Sequence, residues 1–545
     1  MDSGGRRWRA FGSLAGNTAL LRVLAAYLLF ILTEYAVWIA MLVYAYNRGG
    51  TAVAGLVAVA QLAPAAVVAP VAASLADRRS PVVMLAGGYL AQVAGMAGTA
   101  AAIGAGAPLA AYAAAVVAST AVTATRPAQS ALIPSLAATP DQLTAANVVA
   151  GWLEAAGAAA AGLLVGVLIS LAGVGSVFAV CAGLGLAAAL LVAGLRARPL
   201  AGAGADADAN TAHTAGIAEG LRLAVRQPRL RLMLALLTAD AVVVGALDLL
   251  VVILALTVLG RPPGWAGYLE FAFGAGAVLA ATVSAVLVGR RLGGPILAAA
   301  LGFSGALAAV AFGPGLAGTV ILLAVAGAGH CLLTVATRTL LQRSVPPRLI
   351  GRIFGVLEGF TMAGLAVGAL LVPGLAHLGG SRVAVLGVAA VLPLAAVAGG
   401  RAVFRLDAGT AVPVVQIALL RSLPLFAELP APAIEGLAAA LRPVRLEAGA
   451  VLIRQGDPGD AYFAIAAGEL DAEQDGHFLG RYGRGDGVGE IALLRAVPRT
   501  ATVTAHTAAT VYQLDRDLFL TAVLGHAPTR RQAEGIATAR LATDG

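Results

Sequence analysis

The feature that most constrains this chain is a succession of apolar runs, each long enough to cross a bilayer, over its first three quarters. A bilayer core takes about 20 apolar residues in a helix. Twelve runs qualify, near 19–46, 51–76, 82–104, 107–130, 144–170, 172–195, 229–259, 264–289, 294–312, 316–342, 350–376 and 380–400. Soluble Ala-rich helices keep a charged face, and these runs have none. Small residues dominate them, which permits close helix contact in lipid. The expected fold is an all-α membrane protein of twelve transmembrane helices in two six-helix bundles, followed by a different kind of module.

Charge divides the chain at about residue 405. Residues 1–405 carry 24 Arg against 12 acids, a net of +12, and the remaining 140 residues carry a net of −4. A basic balance can indicate nucleic acid, but these Arg sit at the ends of apolar runs, where membrane topology explains them. With both ends inside, only Arg48, Arg261 and Arg382 fall on outer loops. The other 21 are cytoplasmic, so the positive-inside rule places the N- and C-termini in the cytoplasm of a multi-pass cell-membrane protein. The triplet Arg6, Arg7 and Arg9 resembles a signal-peptide start, but the run behind it is too long and lacks a clear cleavage site. Cys181 and Cys331 have neither disulfide nor metal-ligand spacing, and no metal site or resident cofactor is expected. No G-x-x-x-x-G-K-[ST] loop occurs and the chain has no Lys, so an ATP-driven pump is not expected.

The halves repeat. Arg126 to Pro134 reads R-P-A-Q-S-A-L-I-P and Arg338 to Pro346 reads R-T-L-L-Q-R-S-V-P. Gly151-Trp152-Leu153-Glu154 answers Gly355-Val356-Leu357-Glu358. A parallel repeat of six helices is the mark of a two-bundle transporter. The loop Ser74-Leu75-Ala76-Asp77-Arg78-Arg79-Ser80-Pro81 resembles the signature loop of the major facilitator superfamily, with Ser74 where Gly is usual. The second-half counterpart, Val288-Gly289-Arg290-Arg291-Leu292-Gly293, lacks the Asp. The stretch R-P-A…L-I-P…D-Q-L-T-A-A-N at 126–147 looks like the branch containing macrolide and siderophore exporters. The resemblance implies an exporter of a small molecule, not an enzyme, with Asp77 and Arg78 in a loop that links and releases helices as the transporter changes state.

A charge at membrane depth is costly, which makes each one a functional candidate. Glu34 lies mid-run in the first helix, and Asp240 and Asp248 in the seventh, eight residues apart and so on one face. They are candidates for proton transfer or for binding a cationic substrate. Arg126 with Glu154, and Arg338 with Glu358 in the repeat, are expected to pair near an inner gate. His330, alone in its run, reads as packing, and Glu270 lies near an outer end.

From about 415 the pattern changes to two short helices, then short alternating segments with glycine turns every 8–12 residues. That pattern is a small β-roll or jelly-roll with flanking helices. Residues 485–503 read G-D-G-V-G-E-I-A-L-L-R-A-V-P-R-T-A-T-V. A glycine turn opening a short helix leaves backbone N–H groups toward an anion. Arg499 adds a guanidinium fork suited to phosphate, and Glu490 a carboxylate suited to ribose hydroxyls. The segment resembles the phosphate-binding cassette of cyclic-nucleotide-binding domains, F-G-E-L-A-L-…-P-R-x-A-T-V, with Val488 for the usual Phe. The flanks at 455–460 and 511–515 agree. The resemblance implies that cAMP or cGMP binds here. Glu490 would take the ribose 2′-hydroxyl and Arg499 the cyclic phosphate. Gly489, Ile491 and Ala492 would give backbone contacts, and Thr500 would sit beside the base.

The expected organisation is a cytoplasmic tail at 1–18, bundles at 19–195 and 229–400, linkers at 196–228 and 401–416, and the nucleotide domain at 417–545. Expected partners are the lipid bilayer, a small-molecule substrate and cAMP or cGMP, without nucleic acid. Two other readings remain: a membrane sensor without transport, and a transporter whose degenerate C-terminal domain binds a protein.

Overall fold

Paired glycines punctuate the longest helices. In the computed structural model, which describes residues 16–78, 80–136, 140–195, 222, 227–283, 292–345, 350–409, 414–426, 429 and 431–524, helix α1 runs Thr18–Arg78. It breaks at Gly49 and Gly50, where Gly50 takes φ 63°, a left-handed conformation that costs glycine nothing. The first half continues as α2 (Pro81–Gly104), α3 (Pro108–Leu136), α4 (Pro140–Ala172) and α5 (Val174–Val192).

The second half has α6 (Pro228–Ile253), extended by a π turn at Leu254–Val258, then α7 (Trp265–Val283), α8 (Gly293–Val310), α9 (Gly315–Ser344) and α10 (Ile350–Gly409). Helix α10 breaks at Gly379 and Gly380, as α1 does. It runs through 401–409, so the expected linker at 401–416 begins as helix. Among the described residues, eight helices are long and apolar enough to cross a membrane, α1 and α10 among them.

Within each half the helices pack closely, α2 on α3 and α5, and α9 on α7 and α8. Between halves, α4 packs on α7, and α1 on α6 and α10. Missing side chains make this close approach possible. A Cβ on Gly162 of α4 would lie 2.6 Å from the Phe271 backbone N of α7, and one on Gly274 would lie 2.8 Å from the Ala159 Cα. In lipid, such backbone approach supplies the packing that drives helices together. These contacts run from the Trp265 end of α7 to its middle, and near the α1 break a Cβ on Gly55 would lie 2.8 Å from Pro373 of α10.

The C-terminal portion opens with α11 (Val414–Ser422) and α12 (Ala431–Ala440). Strands β1 (Arg442–Leu446), β2 (Val451–Ile453), β3 (Ala461–Ala467), β4 (Leu470–Gln474), β5 (His477–Tyr482) and β6 (Gly487–Val488) follow. Then come α13 (Glu490–Arg495), β7 (Thr502–Ala505), β8 (Ala509–Asp515) and α14 (Arg516–Leu524). Two antiparallel sheets form, ordered β1-β8-β3-β6 and β2-β7-β4-β5. Apolar residues between the sheets, such as Ile465, Leu470 and Val511, are fully buried, and Phe426, Tyr462 and Phe519 pack the helices onto one sheet. The helix expected at about 528–541 lies outside the described residues.

Candidate functional site

Gly489 fixes the geometry of the β-domain site. It caps α13 with φ 93°, a left-handed conformation, between β6 and the helix. A Cβ there would lie 3.1 Å from the Ala461 carbonyl oxygen and press on Arg499. The backbone therefore passes directly over the arginine. Glu490 starts α13 and is 3% exposed, and Arg499 is 5% exposed.

Arg499 is held on both sides. Its Nη1 donates to the Gly489 carbonyl at 3.0 Å, and its Nη2 to the Ala461 carbonyl at 2.8 Å and to Asp460 Oδ1 at 3.1 Å. Its backbone is pinned by Arg499 N to Asp457 O and Gly456 N to Arg499 O, each 2.8 Å. Burial lowers its pKa below the usual arginine value, with the Asp460 and Glu490 carboxylates opposing. It stays a cation, since arginine is deprotonated only far above neutrality. Three of five guanidinium N–H groups are committed to these bonds, which leaves a preset donor surface for an anion.

Around these groups lies a cavity that encloses, with its open mouth, about 630 Å³. Gly489, Glu490, Ile491, Ala492, Arg499 and Thr500 all line it, so the expected residues come together in one place. Ile453, Ala472, Leu479, Tyr482, Val488 and Val503 form the apolar remainder. The set fits a flat, partly apolar anion: a buried cation and backbone at one end, a carboxylate beside it, and apolar walls from the second sheet. Asp460 had no expected role. Its place in the Gly456-Asp457-Pro458-Gly459-Asp460 turn, across from the cassette, was the only signal for it.

The membrane candidates form separate clusters. Arg126 of α3 binds Glu34 of α1 through Nη2 at 2.9 and 3.0 Å and Nε at 3.3 Å, and reaches Glu154 of α4 at 3.5 Å. Tyr27 donates to the other Glu154 oxygen at 3.2 Å. The Arg126 and Glu154 side chains are 41% and 44% exposed. The main partner of Arg126 is thus Glu34 rather than Glu154.

The repeat does not reproduce this arrangement. Arg338 and Glu358 are exposed, and no hydrogen bond or ion pair joins them among the described residues, which corrects the expected pairing. The physical difference lies in the helices' acids: those of α6, Asp240 and Asp248, bond other groups. Asp240 faces His330 of α9, Oδ1 to Nδ1, at 3.0 Å, and accepts from Thr334 Oγ1 at 3.3 Å. His330 is therefore a hydrogen-bond partner of Asp240 and does more than pack. Asp248 accepts from Trp38 Nε1 of α1 at 2.9 Å. Asp77 and Arg78 end α1, and their side chains lie outside the described residues. No cluster of His, Cys, Asp and Glu suited to a metal occurs among the described residues.

Residues 443–526 match the family described as the cyclic nucleotide-binding domain, which implies cAMP or cGMP as a regulatory ligand. An uncharacterised protein of Mycobacterium tuberculosis is 40% identical over 100 residues, 18% of this chain and 20% of that one. A cAMP-dependent protein kinase regulatory subunit of Aspergillus niger is 39% identical over 104 residues, 19% of this chain and 25% of that one. The match spans only a quarter or less of these relatives' length. A solved regulatory domain of Toxoplasma gondii PKA with cAMP is 28% identical, covering 26% of this chain and 56% of that one at a TM-score of 0.23. Residues 23–356, more than half of the chain, match the Major Facilitator Superfamily, and the chain belongs to that superfamily.

Proposed function

We propose that this protein is a secondary active transporter, a proton-coupled exporter of a small molecule, whose activity is set by cAMP or cGMP bound to its cytoplasmic C-terminal domain. One observation carries the regulatory half. Glu490 and Arg499 are both buried against a single cavity whose other walls are apolar. A domain kept only for assembly has no use for a buried cation and a buried acid facing an open cavity, since burying either is costly.

For the transport half, the breaks at Gly49–Gly50 and Gly379–Gly380 support counting α1 and α10 as two spans each, which gives twelve spans in two bundles at 19–195 and 229–400. The Arg asymmetry supports cytoplasmic termini. With that orientation the contacts of Gly55 with Pro373 and of Tyr46 with Thr257 lie toward the outer end, which supports a conformation closed outside. Glu34, Arg126 and Glu154 then border the inward-facing space, Asp77 and Arg78 end α1 at its cytoplasmic side, and Arg338 and Glu358, not joined to each other among the described residues, are separate candidates for the inner gate.

Nucleotide would act by favouring one orientation, and a coupling of about 1–3 kcal/mol suffices. The test is twofold. Calorimetry on the full-length protein in nanodiscs should give heat with cAMP or cGMP. Proteoliposomes loaded with a pH-sensitive dye should show proton movement that the same nucleotide changes. Heat without any change in proton movement would overturn the regulatory reading.

A further inference from the structure

Among the described residues, one acid in the first helix of each half pairs with a base, and the two bases differ. Glu34 meets Arg126, and Asp240 meets His330. In both, the acid belongs to the first helix of its half. A guanidinium holds its proton at any physiological pH, so the first pair has no exchangeable base. An imidazole gains and loses a proton between about pH 5 and 8.

The surroundings of the second pair suit that exchange. The Asp240 side chain is 6% exposed and the His330 side chain 26%, so the acid is the more enclosed of the two. Thr334, one turn beyond His330, occupies the second Asp240 oxygen. Phe273 of α7 and Phe303 of α8 flank the imidazole, with ring centroids at 5.7 and 5.9 Å. Other charges that bear on it are Asp248 on α6 and Arg338 on its own helix. Helix α7 adds Glu270, which acts on Asp248, and α8 carries no titratable residue.

We propose that Asp240 and His330 form the proton-binding site that couples transport to the proton gradient, with Thr334 as a positioning residue. The proposal rests on the transporter reading above. With Nδ1–H directed at Asp240 Oδ1, Nε2 is the atom that takes the incoming proton. The pair then passes from a net charge of −1 to zero, and no bond is broken. A net charge at membrane depth is costly and a neutral pair much less so. Protonation therefore permits α6 and α9 to move past the low-dielectric middle of the protein, and deprotonation holds them on the side open to water. Glu34, neutralised permanently by Arg126, has a different task.

The test uses full-length protein in nanodiscs, with spin labels on cysteines replacing Tyr46 and Thr257. These residues share a 2.7 Å hydrogen bond across the two halves. Cys181 and Cys331 are changed to Ser in this background. Distances between labels are measured from pH 5 to 9, and infrared spectra follow imidazole and carboxyl protonation. The label distance should shift with pH, the shift should vanish in Asp240→Asn and His330→Gln, and it should survive in Glu34→Gln. Thr334→Val should move the midpoint without abolishing the shift. A shift that persists in both Asp240→Asn and His330→Gln, in variants that remain monodisperse, overturns the proposal, as does one lost only in Glu34→Gln. Proton flux in dye-loaded proteoliposomes separates the two readings. Flux without a pH-dependent distance change removes the proposal alone, whereas a pH-responsive protein that carries no flux under any gradient removes the transporter reading beneath it.

Discussion

Trp38 donates its indole N–H to Asp248 Oδ2 across 2.9 Å, joining the first helix of one half to the first helix of the other. The two residues are 210 apart in sequence. This bond lies toward the end of α1 and α6 where Tyr46 and Thr257 also meet, so it belongs to the contacts that close the two halves together. Interhelical hydrogen bonds in membrane proteins contribute about 0.6–2 kcal/mol. Trp38→Phe keeps the ring and removes the donor. It should shift the closed–open ratio toward open by about 3- to 30-fold, at tenfold per 1.4 kcal/mol. Distance measurements between labels at the Ala172 end of α4 and the Trp265 end of α7 check this, and an unchanged distribution would count against a closing role.

Glycine packing gives a second expectation. Gly162→Val places a side chain where the Phe271 backbone N and the Gly267 carbonyl oxygen already stand, at 2.6 and 2.8 Å from the added Cβ. Overpacking of this kind costs about 1–3 kcal/mol. Gly151→Val, on the same helix, meets nothing within 4 Å. Thermal unfolding in detergent should fall several degrees for the first and hardly move for the second. Equal losses would mean that helix propensity, and not the contact with α7, sets the cost.

Much of this architecture was legible in the sequence because it depends on local patterns. Apolar runs, arginine placement and the spacing of glycine turns are readable without knowing which helix touches which. The cassette was legible for a related reason: Gly489, Glu490 and Arg499 fall within eleven residues, so one segment carries most of its chemistry. What could not be read were pairings between distant segments. Trp38 with Asp248, Asp240 with His330, and Asp460 with Arg499 each require the fold to bring two unrelated stretches together. The expected Arg126–Glu154 contact forms, but among the described residues Arg338 and Glu358 do not repeat it, for the same reason. The repeat preserves spacing along the helices, but the partner Arg126 chooses, Glu34, comes from a helix whose second-half counterpart directs its acids elsewhere.

Arg499→Lys tests whether the guanidinium fork matters or only its charge. Lys has no planar fork and cannot hold the Gly489 carbonyl, the Ala461 carbonyl and Asp460 together while facing a phosphate. Losing one partner of a buried, hydrogen-bonded charge pair costs about 2–5 kcal/mol. Calorimetry on the full-length protein should show cyclic nucleotide binding at least about 30-fold weaker in Arg499→Lys, at tenfold per 1.4 kcal/mol. Asp460→Ala should weaken it less, because the Asp460 side chain is 80% exposed and its pair with Arg499 is partly screened by water. Binding at full strength in Arg499→Lys would show that the ligand's anion is held elsewhere in the cavity.

The outer face of the second sheet carries a pH-dependent brace. Asp471 of β4 accepts from Arg481 of β5 at 2.7 and 3.2 Å, and His506 Nδ1 lies 2.9 Å from its Oδ2, which Arg481 also reaches. These hydrogen bonds, Arg481 first, hold the Asp471 carboxyl below its ordinary value of 3.8. A carboxylate with a lowered folded pKa binds fewer protons folded than unfolded, so its contribution is fully present above the ordinary value. It is lost as pH falls through the lowered one. Arg481→Gln should therefore speed hydrogen exchange in the β4–β5 peptides relative to the unmodified protein at pH 6–7. The ratio between the two proteins should shrink toward one as the pH is taken below about 4, where the unfolded carboxyl is protonated. Comparing the proteins at the same pH removes the intrinsic dependence of exchange on pH. A ratio that stays constant down to pH 3 would mean that Arg481 braces the hairpin by packing and not through the Asp471 carboxylate.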